Sequence, residues 1–170
     1  CKEISYEEWM RRISDIFRNQ PQEKSAIEEI SKSYTYADGA MDVVAYIKAK
    51  YPVALISSNV DVFVKRIASD LEIEHAYLYT DFRYSDDERF TDIGYAYEGT
   101  EQNAKVDSVA DFARKIGVLV NEIAFVGDSR NDLAVFKATG KGVLIGEGDD
   151  DLRAIAWNRI KTLTELKDIL

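Results

Sequence analysis

Cysteine and histidine are almost missing from this chain: its 170 residues hold one of each, Cys1 and His75. No intrachain disulfide can form, and a structural zinc site of Cys and His is excluded within one chain. A histidine-based triad would have to use His75, which sits in Glu74-His75-Ala76-Tyr77 beside no serine or cysteine motif and reads as an ordinary surface or strand-edge residue. The scarcity of cysteine is in keeping with a reducing, cytoplasmic compartment. Apolar runs are short as well. Stretches such as Val53-Ala54-Leu55-Ile56 fall far below the roughly 20 residues that cross a bilayer, and no cationic-then-apolar leader opens the chain, so no membrane partner is expected. Basic charge is in deficit, with 22 Lys and Arg against 31 Asp and Glu for a net charge of −9 and no basic run, which argues against nucleic acid as a partner. Chemistry is left to carboxylates, hydroxyls, lysine and metal.

What is present is the composition of one compact domain with a small appendage, 46% hydrophobic and 31% charged. Ser5-Tyr6-Glu7-Glu8 has capping-box spacing, and Trp9, Ile13, Ile16 and Phe17 follow as one helical stripe. Pro21 breaks it before a second stretch with Ile27 and Ile30, so residues 5–33 are predicted to form an amphipathic helical hairpin. From Asp38-Gly39 helix and strand alternate, the pattern of a parallel sheet covered by helices. The predicted elements are a helix with Ala40, Val43, Val44 and Ile47, a buried strand Pro52 to Ile56, and a helix from Val60 to Asp70. A strand Ala76 to Thr80 follows, then a hairpin or ribbon over 81–100, and a helix Lys105 to Ile116 stopped by Gly117. The chain finishes with strand Ile123 to Val126, helix Asn131 to Ala138, strand Val143 to Ile145 and a last helix from Thr164.

Three places stand where a strand gives way to a helix, the end of an open α/β sheet at which ligands bind. In Val126-Gly127-Asp128-Ser129-Arg130-Asn131-Asp132 two carboxylates follow a strand and can converge on one hard cation such as Mg²⁺; alternatively Asp128 caps the helix and Asp132 complements its dipole. Ser57-Ser58-Asn59 offers backbone N–H groups and a hydroxyl to an anion, or else is a plain N-cap sequence. Asn103-Ala104-Lys105 places a cation at a helix start, where it calls for a compensating anion or is simply solvated.

Taken in order, Ser57, then Lys105, then Gly127-Asp128 with Asn131-Asp132 resemble the second, third and fourth motifs of the haloacid dehalogenase-like hydrolases, most closely their phosphoserine phosphatase branch. The resemblance covers essentially the whole chain. It implies an α/β, Rossmann-like parallel sheet flanked by helices over residues 37–170, with a small helical cap in residues 1–36. It implies a Mg²⁺-dependent phosphatase that hydrolyses small phosphate monoesters through an aspartyl-phosphate intermediate. On that pattern Ser57 and the Ser58 N–H hold the phosphoryl group, Lys105 neutralises its charge, Asp128 binds Mg²⁺, Asp132 supports the metal or orients Lys105, and Asn131 contacts phosphate or a loop.

The sequence departs from the family in three respects. The first motif, Asp-x-Asp, which carries the nucleophile on the central first strand, has no counterpart in residues 1–170. The expectation is a native protein longer at its N-terminus, whose preceding segment brings that strand; the alternative is a non-catalytic binding or regulatory module of the same fold. By register from Tyr6, the cap arginine that holds the substrate carboxylate in that branch is Ile13, with Arg11 and Arg12 on other faces. Ser58-Asn59 stands where the branch has Gly-Gly. Phosphoserine is therefore one candidate among small phosphate esters.

Overall fold

The computed structural model describes residues 6–96 and 100–170, with side chains at 8 and from 11 onward. Ser5 of the expected capping box, the Trp9 side chain and Tyr97 of the expected ribbon lie outside the described residues.

The two N-terminal helices form where the periodicity places them, α1 at Tyr6–Asn19 and α2 at Lys24–Ser33. They are not mainly packed on each other. The Ile13 and Phe17 face of α1 lies over a strand, β3 (Phe90–Tyr95), in a cluster with Phe82, Phe90 and Ile93, where the Phe17 ring stands 5.1 Å from Phe90 and 5.3 Å from Phe82. Ile16, expected in the same stripe, is 60% exposed, because a single flat ribbon beneath α1 covers only a narrow band of it. Helix α2 turns Ile27 and Ser31 inward against the helix Asp61–Asp70. The linker between the helices is tied to the ribbon as well: Phe90 N–H donates to Gln22 C=O and Lys24 N–H to Glu88 C=O, each at 2.9 Å.

Helix α3 (Ala40–Lys48) leads into β1 (Ala54–Val60), α4 (Asp61–Asp70) and β2 (His75–Tyr84). β1 and β2 are parallel, with Leu55 opposite Ala76 and Ser57 opposite Leu78, and β3 returns antiparallel to β2. The expected ribbon is thus the far end of a long β2 paired with β3. His75 opens β2, half-buried, its ring 5.2 Å from that of Phe112.

Helix α5 (Glu101–Ile116) starts four residues before the predicted position, capped by the Thr100 hydroxyl, and ends at Gly117 with φ 76°, a left-handed stop that a side chain would disfavour. Beyond it a second, wholly parallel sheet holds β4 (Phe125–Gly127), β5 (Gly142–Ile145) and β6 (Asn158–Ile160), with α6 (Leu133–Thr139) and α7 (Asp150–Ile155) as crossovers. The elements α7 and β6 were not predicted, since six and three residues are too few to show a period. The predicted final helix is a 3₁₀ stretch, Leu163–Asp168.

On the second sheet the core forms two clusters, Val43, Val143, Ile160 and Leu166 under α3, and Phe136, Leu144 and Leu152 under α6 and α7. Between the two sheets, no hydrogen-bonded ladder joins β1 to β4 among the described residues. β1 was expected to be a buried strand, yet Leu55 and Ile56 are only half-buried, as are Phe125 and Val126 of β4. Among the described residues each of these two strands pairs along one edge only, whereas an interior strand of a parallel sheet is covered on all sides.

Candidate active site

The carboxyl ends of β1 and β4 open into one pocket of about 610 Å³, whose floor carries Ser57, Ser58, Glu101, Lys105, Asp128 and Asn131. All six predicted site residues therefore come to one place, Asp132 lying directly behind Lys105.

Ser57-Ser58-Asn59 does not cap α4: the residue at the N-cap is Val60, with no side-chain cap, and the three residues remain in β1. The strand is irregular between Ser57 and Val60, which turns this segment out of the ladder. Ser57 Oγ accepts from Asn59 N–H at 3.2 Å and keeps its own proton to donate, Asn59 Oδ1 accepts from Val60 N–H at 2.7 Å, and Ser58 C=O accepts from the Thr80 hydroxyl at 3.0 Å. The segment is held by its neighbours with hydroxyl and amide donors at the pocket floor.

Lys105 lies in the second turn of α5 rather than at its start, and it is buried, not solvated. Its Nζ donates to Asp132 Oδ1 at 2.9 Å and stands 3.4 Å from Glu101 Oε1. Burying an ammonium is costly, and two partners of opposite sign offset that cost here.

Asp132 closes the loop after β4. Its Oδ2 accepts from the N–H groups of Asp128 and Ser129, both at 3.2 Å, in a capping box of the 3₁₀ turn Arg130–Asp132. Asp128 caps nothing. Its side chain is exposed to the pocket, and among the described residues no donor reaches it.

Sequence reasoning missed Glu101. Buried at 7% exposure, it accepts from Ser58 Oγ at 2.5 Å and from Asn131 Nδ2 at 3.0 Å while facing Lys105, so one carboxylate links the ends of both sheets. The available signal was the Glu101/Lys105 i,i+4 spacing at the head of a helix. Helix α5 is itself pinned by Tyr79, whose hydroxyl donates to Ala104 C=O at 2.9 Å and contacts Ser108 Oγ at 2.5 Å; burial pushes its pKa up to about 12.

The charge count favours a cation. One ammonium faces three carboxylates, Glu101, Asp128 and Asp132, so a phosphate dianion entering here meets net negative charge unless a further positive ion accompanies it. The free Asp128 carboxylate suits Mg²⁺, which takes oxygen ligands and is commonly held by one or two carboxylates with phosphate and water. Among the described residues no group of three or more acidic, histidine or cysteine side chains could hold a metal, so Asp128 stands as a single protein donor.

Comparison with known proteins identifies the family. A family model for haloacid dehalogenase-like hydrolases matches residues 2–137. A phosphoserine phosphatase of Methanocaldococcus jannaschii is 26% identical over 138 residues, which is 81% of this chain and 63% of that protein. This chain thus spans just under two thirds of that relative's length. Among solved structures, a haloacid dehalogenase family hydrolase from Salmonella enterica serovar Typhi superposes with a TM-score of 0.78 at 21% identity, covering 92% of this chain and 52% of that one. A substrate-bound phosphoserine phosphatase gives a TM-score of 0.78 at 23% identity, covering 88% and 71%. At these identities the structures establish the fold. With the family match over most of its length, the chain belongs to the haloacid dehalogenase-like hydrolases and is similar to their phosphoserine phosphatase branch.

Proposed function

We propose that this chain is the cap-and-core portion of a Mg²⁺-dependent phosphatase acting on small phosphate monoesters, with residues 1–36 as the cap and 37–170 as the core. The observation that carries the reading is the convergence of Ser57, Lys105 and Asp128 on one pocket from three separate elements. Ser57 Oγ–H and the Ser58 N–H donate to phosphoryl oxygens, and the Lys105 ammonium, held by Asp132, meets the charge on them. Asp128 would hold Mg²⁺, whose chemistry is to neutralise phosphoryl oxygens as the nucleophile approaches. Both oxygens of Asp132 already accept from protein donors, so its role is to orient Lys105 and the Asp128 loop rather than to bind metal directly.

The nucleophile is assigned to an aspartate on a preceding segment that pairs with the open edges of β1 and β4. Its carboxylate oxygen forms the bond to phosphorus as the P–O bond to the alcohol breaks, and the alcohol oxygen takes a proton from the second, acid/base carboxyl of the same Asp-x-Asp segment, which recovers one from the attacking water. Water then attacks the aspartyl phosphate, returning the carboxylate and releasing inorganic phosphate. The partners are that segment and the phosphate ester, and the compartment is the cytoplasm; among the described residues no helix is long and apolar enough to cross a membrane.

The test is release of inorganic phosphate by the full reading frame with and without Mg²⁺. Turnover that needs Mg²⁺ and falls at least about 100-fold in Asp128→Asn supports the reading. Mg²⁺-independent turnover, or full activity in that variant, refutes the metal role, and no turnover favours the non-catalytic module.

A further inference from the structure

Helix α2 ends without a glycine stop. Its C-cap, Tyr34, is extended (φ −72°, ψ 137°), so the carbonyls of the last turn must find donors elsewhere. Ser31 and Ser33 fold their hydroxyls back onto Glu28 C=O and Ile30 C=O within the helix. The carbonyls of Ser31 and Tyr34 are taken by a residue of the core: Arg66 of α4 donates to both through Nη1, at 3.0 Å to Tyr34. A guanidinium at this place also offsets the negative end of the α2 dipole.

Arg66 is itself held. Its Nε donates to Asp70 Oδ2 at 2.9 Å, one turn on in α4, and the same oxygen accepts from the Tyr36 hydroxyl at 2.7 Å. The guanidinium carbon lies 5.4 Å from the centre of the Tyr36 ring. The Tyr36 hydrogen bond and the Arg66 charge keep the Asp70 carboxyl below its ordinary range, so the cluster is ionised at neutral pH. The links run from Tyr34 through Arg66 and Asp70 back to Tyr36, two residues further along the linker that carries the chain from α2 into the core. Phe63, Arg66 and Asp70 are spaced three and four apart on one face of α4, and the Phe63 ring meets that of Tyr34 edge-on at 5.2 Å. At its head α4 follows directly on the strand that holds Ser57, Ser58 and Asn59. One helix therefore carries the phosphate-binding segment before it and the exit of the cap along its side, and Ile30 and Tyr34 of that exit line the same pocket as Ser57.

We propose that Arg66, with Asp70 and Tyr36, is a positioning clamp that fixes the cap over the phosphate-binding floor. Lys24 N–H, bonded to Glu88 C=O, ties the first turn of α2 to the ribbon, so the clamp completes the hold on this helix at both ends. The consequence for substrate rests on the phosphatase reading, whereas the holding of α2 does not. The test uses the full-length protein and Arg66→Ala, with Tyr36→Phe as a milder variant that keeps the ring and removes the hydroxyl from Asp70. Hydrogen exchange read by mass spectrometry reports on the clamp: peptides within 24–36 are expected to exchange at least about 10-fold faster in Arg66→Ala, with peptides of β4, β5 and β6 unchanged. Kinetics report on its consequence: KM for p-nitrophenyl phosphate is expected to rise about 10-fold with kcat within about threefold, the pattern of lost uniform binding, and inhibition by inorganic phosphate, which sits at the floor alone, stays as in wild type. Tyr36→Phe should move both readouts in the same direction by less, and it decides alone should Arg66→Ala not fold. Unchanged exchange within 24–36 overturns the proposal. So does faster exchange over the whole molecule, or a KM equal to wild type in a turning-over enzyme, since a merely structural arginine would give those results. Where the wild type hydrolyses no ester, the phosphatase reading falls and exchange decides the clamp.

Discussion

Gly127 lies so close beneath the Asp132 carboxylate that a methyl group on its Cα would stand 2.5 Å from Asp132 Oδ2. The residue at 127 therefore controls where Lys105 points, because the displaced carboxylate is the one that holds the ammonium. Gly127→Ala is expected to lower stability by about 1–3 kcal/mol from overpacking and to reduce phosphatase activity together with it. Urea denaturation and a phosphate-release assay check this; an alanine variant with unaltered activity would show that Asp132 can move without consequence.

Removing the carboxylate itself has the larger effect. Asp132→Ala leaves Lys105 buried with Glu101 as its remaining ionic partner and frees the Asp128 and Ser129 N–H groups. A loss of about 3–5 kcal/mol is expected, the range for breaking a buried ion pair from one side. The urea midpoint of the variant, compared with wild type, measures it.

Glu101 acts through the groups it holds. Glu101→Ala releases Ser58 and Asn131 at once, and kcat/KM is expected to fall about 100-fold from misplacement of the phosphate-binding segment. Glu101→Gln keeps an acceptor for Ser58, so it should recover most of that loss. A purely structural role predicts instead that activity follows the urea midpoint in both variants.

Tyr79 supplies an alkaline signature. Burial raises its folded-state pKa to about 12 from an ordinary 10.0, so its contribution is complete below pH 10 and is lost as pH rises toward 12, where the unfolded chain ionises first. At pH 7 Tyr79→Phe should cost about 1 kcal/mol for the missing hydrogen bonds. Between pH 10 and 12 the wild type should lose that advantage over the variant. Urea midpoints of both proteins across this range decide the matter, and a constant difference would refute it.

Much of the fold is written in local patterns. The stripe through Ile13 and Phe17, the Asp38-Gly39 switch to alternating elements, and Gly117 as a helix stop are each visible within a few residues, because helix and strand periods and left-handed stops are local properties. The candidate site residues were also legible, since Ser57, Lys105, Asp128, Asn131 and Asp132 stand at strand ends or helix heads in a recognisable order. Short elements such as β6 were not, for three residues carry no period.

The sequence by itself determined the types of the longer elements, their alternating order and which side chains stand at the carboxyl ends of β1 and β4. Tertiary structure decided what those side chains do: that Lys105 is buried against Asp132, 27 residues away, that Glu101 reaches Ser58 across 43, and that α1 and α2 rest on the core instead of on each other. Those contacts form only when chain closure across long intervals is offset by burial of several groups together, a cooperative balance that no local window contains.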